Sequence, residues 1–178
     1  MITNCSSDNG IVTGGTQVGG LVGAVYVYGV LSDSYSNMFV SGNTLIGGLV
    51  GFCTRQFSAL GTIHYCYSLG NVQGLADVGG LVGVNAGLIM SSYATGNVEG
   101  NDSTGGLVGA HYNDEGIISS SYASGSVDGG IYTGGLVGII NSTSHPKNLK
   151  RMTMHPNWIS AKKLCKWYGG FNSQVQLS

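Results

Sequence analysis

The pentapeptide Gly-Gly-Leu-Val-Gly recurs at 19–23, 47–51, 79–83, 105–109 and 134–138, at intervals of 28, 32, 26 and 29 residues. Self-similarity at such a period limits a chain to solenoids, propellers and arrays, because one unit of that length cannot bury its own apolar face and must stack on its neighbours. A second landmark sets the register. Tyr35, Tyr67, Tyr93 and Tyr122 each stand twelve residues before the first Gly of the next pentapeptide. The spacing is constant there and variable elsewhere, so the stretch from Tyr to Gly is the scaffold.

The same side-chain types return around each Tyr. Four residues before it stands Leu31, Ile63, Ile89 or Ile118, and immediately before it Ser34, Cys66, Ser92 or Ser121. Val40, Val72, Val98 or Val127 follows five residues after it, and Gly42, Gly74, Gly100 or Gly129 seven after it. Val18, Ile46, Val78, Thr104 or Thr133 precedes the paired Gly. β-Branched and small residues broken by Gly suit short strands joined by tight bends. The pattern predicts an all-β chain, a parallel β-helix (β-solenoid) of about five coils. In the third complete repeat the three strands are expected at 89–94, 97–99 and 104–108. Equivalent strands stacked about 4.8 Å apart turn each repeat position into a ladder. The four Tyr should therefore stack, as should the Leu of each pentapeptide. Leu and Val of that segment should point to opposite faces unless the strand bends. The glycines are expected at corners with positive φ, and where a side chain would strike its counterpart one coil away.

Composition narrows the class. Gly supplies 32 of 178 residues and charged residues 8%, with 42% apolar, which excludes ordinary disorder. Residues 1–140 hold all eight acidic residues and a single base, Arg55, whereas 141–178 hold six Lys/Arg and no acid. Two parts are expected: a repeat region, 1–141, and a basic non-repeat tail, 142–178. In the tail, Asn157 to Gly169 has the capping and spacing of a short amphipathic helix that could cover an open solenoid end. A shifted reading frame would leave the same kind of basic, non-repeating run. Residues 2–7 look like the middle of a repeat, so the chain is expected to be a piece of a longer array. The uncharged run 9–32 contains a repeat unit and is expected to form solenoid strands, with no transmembrane segment. No secretory signal is legible at Met1 to Cys5.

Chemistry-bearing motifs are sparse. No two Gly are separated by one residue, and Lys is absent before 147, so neither a dinucleotide fingerprint nor a P-loop is expected in the repeats. No cofactor and no nucleic-acid partner are expected. His111 with Asp114 and Glu115 is the one place where an imidazole and two carboxylates fall close in sequence, in what is expected to be a loop. Cys66 takes the slot of Ser34, Ser92 and Ser121 and Cys5 lies near it, so both are expected to be small buried residues; Cys53 and Cys66 could pair across the longest insertion.

The units resemble the GLUG-motif repeat, as in Ile89-Met90-Ser91-Ser92-Tyr93-Ala94-Thr95-Gly96-Asn97-Val98-Glu99-Gly100 followed by Thr104-Gly105-Gly106-Leu107-Val108-Gly109. The resemblance implies a non-catalytic structural or adhesive module of a secreted or cell-surface protein, in the manner of filamentous-haemagglutinin-like adhesins and the N-terminal regions of IgA-specific metallo-endopeptidase-like proteins. It implies no catalytic residues. The other reading is a fragment of a polysaccharide-active β-helix enzyme, which would need carboxylates clustered on one face. Specificity is expected in the variable stretches 24–30, 52–62, 84–88 and 110–117, which should emerge along one edge. That edge offers Tyr26, Tyr28, Phe52, Arg55, Gln56, Phe57, His111, Tyr112, Asp114 and Glu115 to glycans or to host or extracellular proteins. The open ends offer end-to-end association.

Overall fold

The computed structural model describes residues 1–56, 59–112 and 116–141; the tail lies outside the described residues. Among the described residues all regular structure is β, in five coils spanning 2–25, 30–53, 62–85, 88–112 and 117–141. Every coil-to-coil pairing among the described residues is parallel, and from the second coil on each is in register: Tyr67 lies beside Tyr35 and Tyr93, and Gly79 beside Gly47 and Gly105. The first coil slips by one residue against the second between Asp8 and Ile11. Four faces result. In the fourth coil they are represented by Leu88–Met90, by Tyr93–Ala94 together with Val98–Glu99, by Asp102–Gly105, and by Val108–Tyr112.

The expected ladders are present. The four Tyr rings stack with centroids 4.8, 4.9 and 5.0 Å apart and planes within 5° of parallel. Leu49, Leu81 and Leu107 are fully buried, and so are Val50, Val82 and Val108 beside them. Both neighbours can face inward because the strand is bent: it stops at the first Gly of the pentapeptide and restarts at Val, with the second Gly and Leu forming the corner. The three strands expected per coil are thus divided further. The break at Ser91-Ser92 splits the first, and the break at Gly106-Leu107 splits the last.

The glycines are not there to supply left-handed backbone, even where they lie at corners. No described Gly has positive φ, whereas eleven other residues do. Two rows of them mark the corners: Asn4, Asp33, Tyr65, Ser91 and Ser120, then Gln17, Leu45, Asp77 and Ser103. The first corner is held by the residue that follows it. Ser92 Oγ donates to Met90 O at 2.8 Å, bridging the left-handed residue, and accepts Cys66 N–H from the preceding coil at 3.1 Å. Ser34 and Ser121 repeat both contacts, which offsets the left-handed strain with two hydrogen bonds per coil.

Glycine is required instead by a waist in the cross-section. A Cβ on Gly47 would lie 2.7 Å from Gly83 N and 2.8 Å from Leu81 O of the next coil; one on Gly51 would lie 2.6 Å from Val18 N of the coil before. The third and fourth faces therefore meet backbone to backbone. At the same waist the second Gly meets the residue after each Tyr, which must be small: Ser36, Ser68, Ala94 and Ala123 face Gly20, Gly48, Gly80 and Gly106. The waist divides the interior into two cores. The larger holds Leu31, Ile63, Ile89, Ile118 and the pentapeptide Leu and Val; the smaller holds Val18, Val40, Ile46, Val72, Val78 and Val98.

Candidate functional site

Among the described coils, apart from one extra residue bulged between Asp8 and Ile11 of the first, variation in coil length is absorbed at one corner, between the strand after the pentapeptide and the strand before the Tyr. The connections there are 26–29, 54–61, 86–87 and 113–116. The longest contains an antiparallel strand pair, Arg55–Gln56 with Ala59–Leu60. The flanking strands keep register regardless: Asn85 pairs with Cys53 across the longest connection, and Leu88 with Thr62.

The first connection is a tight turn closed by Gly29 N–H donating to Tyr26 O at 2.7 Å, with Tyr28 in the left-handed region. It presents Tyr26, 58% exposed, and Tyr28, 81% exposed. The edge of one ring meets the face of the other where Tyr26 packs on Phe52 of the next coil, centroids 6.4 Å apart. Phe52 is half-buried and stands within a strand, between Ala24 and Val84, and not in a loop. Tyr26, Tyr28 and Phe52 are thus brought together. Phe57, Asp114 and Glu115, with the side chains of Arg55 and Gln56, lie outside the described residues.

His111 differs from its expected place. It stands in the strand Val108–Tyr112, 9% exposed, in a row that runs Val25, Cys53, Asn85, His111, Ile140 through the stack. Asn85 Nδ2 approaches His111 Nδ1 at 3.1 Å, and His111 Nε2 approaches Gly116 O at 3.3 Å. Burial lowers the imidazole pKa, partly opposed by the Gly116 carbonyl. Every polar atom of this pair is used inside the protein, so it is built as structure. Asn85 went unnoticed in the sequence, although a polar residue in an apolar column was the available signal.

Tyr112 is half-buried at the end of the same strand, and its phenol is pushed up by burial and then by the nearby charges of Asp77 and Asp102. The Asp77 carboxyl is itself raised by burial, with Ser103 lowering it and Asp102 raising it further. Asp77 and Asp102 come from successive coils of the third face. Periodicity alone did not link them to Tyr112, because the link crosses the waist.

The three described cysteines, Cys5, Cys53 and Cys66, are unpaired. Cys53 and Cys66 are both buried, and burial pushes their thiols up to about 12 and about 11. Cys5 takes the slot of Ser34 as expected but is exposed, because the first coil has no coil beneath it among the described residues. No group of three or more His, Cys, Asp or Glu among the described residues is placed to hold a metal ion. No helix among them is long and apolar enough to cross a membrane.

The family model of the GLUG motif matches residues 74–99 and 100–128. No curated protein and no solved structure matches the chain. Each matched stretch runs from a corner glycine, Gly74 or Gly100, to the equivalent region one coil on. Residues 74–128 are therefore two adjacent GLUG-motif repeats, set in a parallel β-solenoid of five coils.

Proposed function

We infer that this solenoid is a structural and adhesive module of a secreted or cell-surface protein, without catalytic activity of its own. The observation that carries the reading is the division of labour around the coil. From the second coil on, backbone pairing, the Tyr stack and the glycine waist keep one register, while the corner before the Tyr strand takes up the large differences in length and presents exposed aromatic side chains. Exposed aromatics beside polar groups bind sugars or extended polypeptides through apolar contact with polar anchoring. Glycans and extracellular proteins are the partners this corner fits. The experiment is an array of both classes probed with the intact chain and with a Tyr26→Ala/Tyr28→Ala variant. Binding to any member of the array that the variant loses supports the reading; two chains that bind nothing, or that bind every member equally, overturn it.

One observation favours the enzymatic alternative. Asp77 and Asp102, on successive coils of the third face, act electrostatically on each other and on Tyr112, as groups used for acid–base cleavage of a glycosidic bond do. Reducing-end release from neutral and acidic polysaccharides, abolished by Asp77→Asn, would establish it. Absence of release from the intact chain returns the cluster to the scaffold.

A further inference from the structure

A groove of about 230 Å³ runs along the stack on the side away from the length-variable corner. Its floor is Gly42, Gly74 and Gly100. These glycines are dictated from below, since a Cβ on Gly74 would lie 2.8 Å from Val78 and one on Gly42 2.6 Å from Ile46. The interior thus removes the floor side chains and leaves a channel. One wall carries Ser41, Gln73 and Glu99 in register, and the other Asn43, Leu75 and Asn101.

Among the described residues, the side chains of Asn43, Gln73, Glu99 and Asn101 make no hydrogen bond. The neighbouring asparagine row behaves otherwise: Asn71 Oδ1 accepts Asn97 N–H at 2.9 Å, and Asn97 Oδ1 accepts Ser126 N–H at 3.1 Å. Amides on this surface can satisfy themselves coil to coil, yet those of the groove are left facing outward. Leu75, 53% exposed, stands between the two asparagines as an apolar step.

We propose that this groove binds a neutral glycan chain lying along the solenoid axis. Three amide side chains, a hydroxyl and a carboxylate supply the mixed donors and acceptors that sugar hydroxyls need, and Leu75 meets the apolar face of a pyranose ring. An anionic polymer is disfavoured, because Glu99 is in the wall and the single base before residue 141, Arg55, stands at the length-variable corner. An extended peptide is disfavoured because the wall backbone is already committed. Asn43, Leu75 and Asn101 N–H donate to Gly15, Asn43 and Leu75 O, and Gly42 and Gly74 N–H donate to Gln73 and Glu99 O, so no edge is open for strand addition. The volume is below the ~300–1,000 Å³ of sites that enclose a ligand, so the chain lies across the groove without being engulfed.

The test is titration of the full chain with cellohexaose, laminarihexaose and mannohexaose, followed through the side-chain amide resonances of Asn43, Gln73 and Asn101. At least one sugar should shift these resonances, and an Asn43→Ala/Gln73→Ala/Asn101→Ala variant should bind it about tenfold more weakly or worse, given the loss of three hydrogen-bonding groups. The triple variant should keep the wild-type far-ultraviolet spectrum and melting temperature, since none of the three side chains is bonded within the described protein. Failure of all three sugars to bind, undiminished binding by the triple variant, or shifts produced only by an extended peptide would each overturn the proposal.

Discussion

Asn85 and His111, one coil apart, hold each other in a single protonation state. The Asn85 amide is fixed because its Oδ1 accepts Gly87 N–H at 3.1 Å and its Nδ2 donates to Gly87 O at 3.2 Å. It can therefore only donate to His111 Nδ1, and the imidazole proton must sit on Nε2, where it faces Gly116 O. A second ring proton would meet an amide N–H inside the core.

The pH dependence follows from that geometry. With the folded pKa of His111 below its ordinary value of 6.5, the unfolded chain binds the extra proton more readily. Stability should be fully present above about pH 6.5 and should fall progressively as the pH drops from there toward the lowered pKa. Melting temperatures between pH 8 and pH 4.5 should show this slope in the wild type, and His111→Asn should flatten it.

Three buried hydroxyl oxygens, on Ser36, Ser68 and Thr104, have no hydrogen-bond partner among the described residues. Ala stands in the Ser68 slot in the next two coils, and Val in the Thr104 slot one coil earlier. Thr104→Val and Ser68→Ala should each raise stability, by about 1 kcal/mol, because desolvating an unbonded hydroxyl costs folding energy that a methyl group does not. Chemical denaturation at pH 7 reads the difference directly.

The waist makes a sharper forecast. A Cβ on Gly48 would strike Gly80 O and Ser68 Oγ and come within 3.1 Å of Ser68 Cβ, whereas one on Gly15 would meet nothing within 4 Å. Gly48→Ala should therefore cost about 2–3 kcal/mol, or prevent folding, as overpacking against backbone does. Gly15→Ala should be neutral or slightly stabilising, by about 0.5 kcal/mol, through the entropy of the unfolded chain. Equal effects in urea titrations would mean that the coils are not pinched as described.

Thiol reactivity separates the cysteines. At pH 8 and with the fold intact, alkylation should label Cys5 readily and leave Cys53 and Cys66 unmodified, since both are buried and their thiols are pushed far above the working pH. Peptide mapping before and after denaturation checks this.

The ladders were legible in the sequence because a parallel stack repeats one residue per coil: the Tyr column, the Leu column and the Val40–Val72–Val98 column could each be located by counting. Local backbone shape was not. Corners through Leu45 or Tyr65 leave no glycine as a signature, because here the left-handed residue is held by the serine after it or by the register, not by the absence of a Cβ. The corner that absorbs length was legible from the variable stretches, but its inner limit was not. Phe52 and His111 are counted among variable residues and yet occupy strand positions, since an insertion and the strand it leaves look alike until the register is known. The electrostatic influence of Asp77 on Tyr112 links residues of different coils and different columns, and no single-column comparison can reveal it.

The two strands flanking the length-variable corner are held to their neighbours by bonds that do not pass through it. A connection of two residues at 86–87 and one of eight at 54–61 leave the same pairing on either side. That corner is accordingly a grafting position. Foreign loops can be exchanged there one coil at a time, each displayed about 4.8 Å from the next along the axis, so that an evolving or engineered array gains new contacts without refitting its core.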